Sequence, residues 1–272
     1  MKTTRGNVTR SFTGIVLTFL SAALLVALIS CATVPETGRR QFLLVSGEEE
    51  MQLGISEFDK LKKSTPISHD PALNALVQRV GQRIAAVAPL PNAQWEFVVF
   101  DEPKTANAFC LPGGKVGVYT GILPITVDEA GLATVMGHEV GHAVAHHGGE
   151  RISQALLTQL GGAALGTALT RYPDQTRNLA LGIYGVTSAV GWTLPHSRRQ
   201  ESEADRLGLI YMARAGYDPQ ESVGFWQRFK AYNDARGGQH WQFLSTHPLD
   251  EVRIAQIQEL MPEAMQNYRP AP

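Results

Sequence analysis

The sequence predicts an α+β fold that is mainly helical and contains one small β-sheet. Long segments carry apolar residues at helical spacing, and only a few short apolar runs between residues 95 and 120 have the pattern of strands. A chain of 272 residues with 44% hydrophobic content can bury one substantial core. We therefore expect one main domain at residues 46–265, followed by a C-terminal tail at residues 266–272.

The first thirty residues have the composition of an export signal. Three basic residues come first, Lys2, Arg5 and Arg10. The apolar segment 15–29 that follows is shorter than the about 20 residues needed to span a bilayer. The signal ends in Leu28-Ile29-Ser30-Cys31, which resembles the lipobox of bacterial lipoproteins, where the cysteine is lipidated and becomes the mature N-terminus. A plain signal peptide or membrane anchor with an incidental cysteine is the alternative.

Lipidation of Cys31 would hold the protein on a membrane, with residues 31–45 as a tether. Ala32 follows the cysteine where an aspartate tends to retain Gram-negative lipoproteins at the inner membrane. We therefore expect an outer-membrane lipoprotein that faces the periplasm rather than one held at the inner membrane.

The net charge and the cysteines argue against two other functions, which are nucleic-acid binding and catalysis by a thiol. The net charge is −1 and no basic tract is present, which argues against nucleic acid as a partner. Cys110 is the second of two cysteines, and it lies in an apolar run. We interpret it as a buried, inert thiol rather than a catalytic one.

Two helices are predicted ahead of the strands. Ser46 and Glu49 form a capping-box pattern, which starts a helix over about residues 47–62. Asp70-Pro71 places a capping residue before a proline, and the apolar spacing that continues to Val87 predicts a second helix.

The strands follow these helices. Residues 95–100 form one, and residues 107–111 and 115–120 form a pair around the turn Pro112-Gly113-Gly114. An edge strand here could pair with an extended peptide backbone, or the pair could be a structural hairpin.

A third helix, capped within residues 126–129, carries the sequence His138-Glu139-Val140-Gly141-His142. Residues four apart lie on one helix face, so the two histidines can bind one zinc ion. Glu139 points elsewhere on the helix, where its carboxylate can act as general base on a metal-bound water. A chance match on an ordinary helix is the alternative.

We expect this helix to run to about His147 and to end at Gly148-Gly149. His146 and His147 are interpreted as solvated residues at its C-terminus, because the metzincin ligand pattern needs residue types that Ala145 and Gly148 do not supply.

The third zinc ligand is predicted 59 residues after His142. Glu201 and Asp205 are four apart and share one helix face, whereas Glu203 faces elsewhere. Glu201 would bind the metal, and Asp205 would accept a hydrogen bond from a ligand imidazole. A solvated, charged helix is the alternative, since arginines lie beside these acids.

These motifs together resemble the HtpX and CaaX prenyl protease family of gluzincin metallopeptidases. Two further stretches match, Asn107-Ala108-Phe109 before the active helix and Ser245-Thr246-His247-Pro248 near the end, with Arg253 six residues after the histidine. The resemblance covers roughly residues 45 to 260. It implies a zincin-like domain with one zinc ion.

The resemblance also assigns roles to single residues. His138, His142 and Glu201 hold the zinc, Glu139 is the catalytic acid and base, and Asp205 and Arg253 support the ligands. His247 either donates to the tetrahedral oxyanion or occupies the open zinc position at rest; a turn residue before Pro248 is the alternative. The strand residues Asn107, Ala108 and Phe109 bind substrate.

Within this family the chain is most similar to the periplasm-facing lipoprotein branch, without the tetratricopeptide domain that some members carry. The resemblance implies an endopeptidase that cleaves unfolded or misassembled envelope proteins. The alternatives are a chaperone or assembly lipoprotein with a structural or autoinhibited metal site, and a hydrolase of peptidoglycan peptides. Specific substrates, the oligomeric state and the activation trigger are not determined by the sequence.

The segment between the ligands, residues 152–195, is nearly free of charge. Its glycines and polar residues dilute its apolar character, so we favour a helical pair packed over the active site or against the membrane surface over a membrane-spanning hairpin.

Overall fold

The computed structural model describes residues 31–160, 196–235, 243, 247 and 251–270. Within them the fold is mainly helical, as the sequence predicts, and it has two small sheets where the sequence predicts one. The predicted signal at residues 1–30 and most of the segment 152–195 lie outside the described residues. The elements, numbered here in chain order, are β1 (Cys31–Thr33), β2 (Arg40–Phe42), α1 (Gly47–Ser64), α2 (Pro71–Ala85), β3 (Glu96–Phe100), β4 (Ala108–Leu111), β5 (Lys115–Tyr119), a 3-10 turn (Thr120–Ile122), α3 (Leu123–Thr126), α4 (Glu129–Val144), α5 (His147–Leu160), α6 (Arg198–Arg214), α7 (Glu221–Asp234) and α8 (Glu251–Asn267).

Residues 31–45, expected to form a tether, are instead folded onto the domain. Strands β1 and β2 pair antiparallel to form an N-terminal hairpin, residues 31–42. Val34 in its loop is buried in the main core, and Gln41 is buried as well. The sequence did not show this, because the strands are only three residues long and are held by contacts distant in sequence.

The predicted starts of the first two helices are confirmed. Ser46 accepts a hydrogen bond from the backbone N–H of Glu49, and the Glu49 side chain accepts one from the Ser46 N–H. The Asp70 side chain caps α2 by accepting hydrogen bonds from the backbone N–H groups of Ala72 and Leu73, with Pro71 as the first helical residue. These local hydrogen bonds satisfy backbone donors at the helix ends, so the sequence alone is sufficient to place them.

The central sheet has three strands in the order β3-β5-β4. Strands β4 and β5 form the predicted antiparallel pair, while β3 runs parallel to β5. Strand β4 thus lies at one edge of the sheet, and it packs against α4.

Helix α4 runs through the middle of the domain, with every residue from Gly131 to Val144 buried. It crosses α6 at close range, where glycines face backbone. A Cβ atom on Gly137 would lie 2.8 Å from the Gly208 carbonyl oxygen, and one on Gly208 would lie 2.7 Å from the His138 nitrogen. The close crossing brings residues of α6 next to the histidines of α4.

The prediction that α4 continues to His147 is wrong. The helix ends at Val144, and His146 has a positive φ of 52°, after which α5 begins at His147 and contains Gly148 and Gly149. Glu50 of α1 stabilises the break, because its carboxylate accepts hydrogen bonds from His146 Nδ1 (2.6 Å) and from the Gly149 N–H (3.0 Å). This partner lies 96 residues away from His146 in sequence.

None of the helices in the described part of the chain combines the length and the apolarity needed to cross a bilayer.

Candidate active site

Four side chains from three parts of the chain meet in the interior. His138 and His142 come from α4, Glu201 comes from α6, and His247 comes from the segment before α8. One potential ligand atom from each lies within 4.8 Å of the other three, and all four residues are buried. The sequence-predicted ligands are thus brought together.

The spacing of these atoms fits zinc. Ligands at about 2.0–2.2 Å from a tetrahedral zinc ion lie roughly 3.3–3.6 Å from one another. His138 Nε2 and His142 Nε2 are 3.1 Å apart, and the Glu201 oxygens lie 3.5 Å and 3.3 Å from these two atoms. Two imidazoles and one carboxylate are also a donor set that zinc enzymes use.

Glu139 lies beside this group without joining it. Its Oε1 atom is buried with no hydrogen-bond partner among the described residues, 3.5 Å from His247 Nε2. Burial raises the pKa of the Glu139 carboxyl above its ordinary value. A carboxylate with a raised pKa is suited to accept and return a proton near neutral pH.

Asp205 and Arg253 form the support that the sequence predicts. Asp205 Oδ1 lies 2.9 Å from His138 Nδ1, an arrangement that leaves Nε2 facing the ligand group. Arg253 donates two hydrogen bonds to Asp205, of 2.7 and 2.8 Å, and pairs with Glu201 Oε2 at 2.7 Å. Its guanidinium stacks on Trp226, 4.0 Å from the ring centroid. The arginine therefore fixes the ligand Glu201 and the supporting Asp205 together.

The protonation states of His142 and Glu201 suit a metal cation. Burial lowers the pKa of His142 well below its ordinary value, which keeps its imidazole neutral. Burial raises the pKa of Glu201, but His247 and Arg253 outweigh it, so that the pKa falls well below its usual range. A neutral imidazole and an ionised carboxylate are the protonation states that a metal requires.

His147 is buried, not solvated as the sequence suggested. Its Nδ1 lies 2.8 Å from His142 Nδ1, and its Nε2 lies 2.9 Å from Glu203 Oε2. The helix break at His146 turns the chain and brings His147 back beside the ligand. Glu203 faces away from the ligand group, as predicted, but it is buried and contacts Arg39 and Thr37 of the N-terminal hairpin.

His247 lies within the ligand group. Its Nδ1 is 2.9 Å from Glu201 Oε1 and 3.3 Å from His138 Nε2. Its ring is stacked between Phe243 and His196, with centroid distances of 4.4 and 5.0 Å. A potential ligand atom of His247 thus lies with those of the three predicted ligands.

A cleft opens beside the histidines. Strand β4 forms one wall, from Asn107 to Pro112, and Glu139, His142 and His247 line the other side. Phe109 turns its side chain into an aromatic core cluster with Phe58, so it can contribute to the cleft mainly through its backbone. Cys110 is buried and free, and burial raises the pKa of its thiol, in agreement with an inert residue.

Sequence reasoning missed three features of the site. His196 lies 4.0 Å from the His142 ring, and its one sequence signal is that it precedes Ser197, the cap of α6. Trp226 and Phe243 form an apolar wall against His138. Ordinary core aromatics give the same pattern in a sequence, so no signal marks these two.

Known proteins are similar to this chain over most of its length. The profile of peptidase family M48 matches residues 71–261, which is well over half of the chain. Mitochondrial metalloendopeptidase OMA1 of Schizosaccharomyces pombe is 36% identical over 240 residues, covering 85% of this chain and 66% of that protein. The same-named protein of Saccharomyces cerevisiae is 32% identical over 252 residues, covering 86% of this chain and 70% of that protein.

A bacterial protein is similar over the same region. The beta-barrel assembly-enhancing protease of Escherichia coli is 29% identical over 231 residues, which covers 83% of this chain and 46% of that protein. This chain thus spans about half the length of its bacterial relative.

Proposed function

This chain belongs to peptidase family M48 and is a metalloendopeptidase, and we propose that it uses zinc to hydrolyse unfolded or misassembled envelope proteins from a lipid-anchored position facing the periplasm. The proposal rests on three members of the ligand group, His138, His142 and Glu201, because their donor types and spacings suit zinc. The family alone supports a metal-dependent peptidase, and the identity of the metal rests on this donor set.

The residues of the chain divide the chemistry between them. Bound zinc would supply a Lewis acid that polarises the scissile carbonyl and acidifies a water. Glu139 takes the proton of the attacking water and returns it to the leaving amine, a role for which its raised pKa is suited. Asp205 and Arg253 keep His138 and Glu201 in place.

Strand β4 offers a way to hold the substrate. Its outer edge borders the cleft, and it pairs with no further strand among the described residues. An extended peptide that added to this edge would be bound by main-chain hydrogen bonds from the Asn107–Phe109 stretch, which do not depend on substrate sequence. Loose sequence preference and a need for extended substrate suit a protease that removes unfolded proteins.

Two further features support the choice of substrates. The Escherichia coli relative is named for enhancing β-barrel assembly, and the sequence of this chain begins with an export-signal pattern. Both point to proteins of the bacterial envelope rather than to nucleic acid, which the net charge of −1 disfavours as a partner.

The proposed activity is tested with Glu139→Gln, which keeps the size of the side chain and removes the base. Purified wild-type protein should hold about one zinc ion per chain and degrade casein, whereas the variant should hold the same zinc and lose about 10²–10⁴-fold in rate. Glu48→Gln changes an exposed glutamate of α1 and serves as the matched control. Undiminished proteolysis by Glu139→Gln would show that the proposed mechanism is wrong.

The membrane attachment is tested separately, with Cys31→Ser. In a Gram-negative host that expresses the full chain, wild-type protein should incorporate a palmitate label and sediment with outer membranes. The variant should lose the label. A labelled variant, or a wild type without label, would contradict lipidation at Cys31.

A second candidate is an assembly factor or chaperone with an autoinhibited metal site. The position of His247 within the ligand group favours it, because a bound side chain in that place would exclude substrate. Complementation separates the two functions in a strain that lacks this protein. Rescue by Glu139→Gln would support the assembly factor, and loss of rescue would support the peptidase.

A further inference from the structure

We propose that His147 and Glu203 are positioning residues for the metal ligand His142, and that Arg39 of the N-terminal hairpin holds this pair in place. The proposal deepens the proposed function, since it rests on His142 being a metal ligand. Neither residue belongs to the group formed by His138, His142, Glu201 and His247, so both would act on that group through His142.

The contacts form an unbroken chain. His142 Nδ1 lies 2.8 Å from His147 Nδ1, and His147 Nε2 lies 2.9 Å from Glu203 Oε2. The same Glu203 Oε2 atom accepts a hydrogen bond from Arg39 Nε, and Glu203 Oε1 accepts one from the Thr37 hydroxyl. Arg39 also pairs with Glu150 of α5 at 2.9 Å. The four side chains in this series of contacts are each at most about a tenth exposed: Arg39, Glu203, His147 and His142.

The order of donors and acceptors along these hydrogen bonds determines which nitrogen of His142 is available to bind a metal. Glu203 is paired with an arginine and is therefore an ionised carboxylate, which can only accept a hydrogen bond. His147 must then donate from Nε2, and a ring that carries this one hydrogen accepts at Nδ1. The hydrogen of His142 is consequently on Nδ1, and the lone pair of its Nε2 faces His138 and Glu201.

The two histidine ligands would thus be held by different means. His138 contacts a carboxylate directly, through Asp205, whereas His142 reaches Glu203 through an intervening imidazole. Outer contacts of this kind fix the ring orientation of a ligand, and their loss typically lowers metal affinity 10–100-fold.

The residue of this series of contacts that is farthest from His142 is Arg39, which lies in the N-terminal hairpin. Arg39 immediately precedes β2, and β2 pairs with β1, which starts at Cys31. The segment that follows the proposed lipidation site is therefore structurally connected to a metal ligand.

The test measures zinc affinity by competition with a chromophoric chelator, in a Glu139→Gln background so that proteolysis plays no part. His147→Leu removes the acceptor and should weaken zinc binding 10–100-fold. His147→Asn places an amide oxygen near the position of Nδ1 and should retain more of the affinity than leucine does. His69→Leu, at an exposed histidine, should leave the affinity unchanged.

A second readout separates positioning from folding. In cobalt-substituted protein the visible absorption reports ligand geometry, so it should change in His147→Leu and return towards the parent spectrum in His147→Asn. Wild-type affinity in both variants, or an equal loss in both, would overturn the proposal. Absence of zinc binding by the parent protein would instead overturn the proposed function.

The contribution of the N-terminal hairpin to zinc affinity is tested with two matched variants, Arg39→Met and Arg40→Met. Arg40 is exposed and adjacent, so both variants remove one positive charge from the same strand end. Arg39→Met should weaken zinc binding to a value between the parent and His147→Leu, and Arg40→Met should not. Equal zinc affinities in the two arginine variants would show that the hairpin does not act on His142 through these hydrogen bonds.

Discussion

At the scale of single residues, His247 has two possible roles that one substitution distinguishes. Its Nδ1 lies 2.9 Å from Glu201 Oε1, so we expect it to occupy the site at rest. His247→Ala should then raise the rate of casein cleavage, by about tenfold if the closed arrangement is favoured by about 1.4 kcal/mol.

An oxyanion donor would give the opposite result. Loss of such a donor typically lowers kcat by about 10²–10³-fold, so a fall of this size in His247→Ala would contradict the resting-state role. His69→Ala, measured in parallel, should leave kcat at the wild-type value because that histidine is exposed.

The residue scale also shows where local patterns are insufficient. His138, Glu139 and His142 share one helix, so their spacing predicts their arrangement. His147 is five residues from His142, and its position depends on a helix break that Glu50 stabilises from another helix. No local pattern around His147 contains that information.

At the scale of secondary-structure elements, the crossing of α4 and α6 sets the geometry of the site. Gly208→Ala would place a Cβ 2.7 Å from the His138 nitrogen, and backbone cannot move away as a side chain can. We expect a loss of about 1–3 kcal/mol in the free energy of unfolding, together with weaker zinc binding as Glu201 moves from the histidines.

Urea unfolding and chelator competition measure both effects. Gly47→Ala is the control, because a Cβ there would meet no atom within 4 Å. A Gly208→Ala protein with wild-type stability and zinc affinity would show that the helices can separate without consequence for the site.

The start of α4 has a pH-dependent contribution. Hydrogen bonds from Arg79, at 2.7 Å, and from the Tyr217 hydroxyl lower the pKa of Glu129, although partial burial opposes this. A lowered folded-state pKa gives stability that is present above the unfolded pKa and is lost as the pH falls through the folded pKa. Glu129→Gln should therefore be less stable than wild type by about 0.5–1 kcal/mol at pH 7.

The difference between Glu129→Gln and wild type should shrink as the pH falls below about 4.3, the ordinary glutamate value. Urea unfolding of metal-free protein at pH 7 and near pH 3 measures it. Glu48→Gln, in the first turn of α1, is the control for a helix-terminal charge. A difference that persists or grows at acid pH would contradict the role given to the Arg79 contact.

At the scale of the whole molecule, the metal would link segments that are distant in sequence. His138 and His142 lie on α4 and Glu201 on α6, so zinc binds the folded chain far better than the unfolded one. At a free zinc concentration of about 1,000 times Kd, binding would add about 4 kcal/mol to the stability. We expect removal of zinc with a chelator to lower Tm by about 10 °C.

Calorimetry with and without chelator measures this shift. Glu139→Gln should show the same shift as wild type, because Glu139 is not a ligand, whereas Glu201→Gln should show much less. An equal Tm with and without zinc in the wild type would exclude a metal held across both helices.

The sequence by itself determined the helix caps and the strand pair, and it predicts His138, His142 and Glu201 as metal ligands. Each of these depends on interactions between near neighbours, or on a motif whose chemistry allows few alternatives. Helix geometry places each pair on one face, and the HExxH spacing and the pair Glu201 and Asp205 predict a zinc site when they are combined with the matching stretches around Asn107 and His247.

Only the tertiary structure decided which contacts hold these ligands and how a substrate reaches them. The folded N-terminal hairpin, the break at His146, the buried contact of His147 with Glu203 and the position of His247 all depend on partners remote in the chain. Packing of α4 against α6, β4 and α2 brings those partners together, and such packing is a property of the complete fold rather than of any segment.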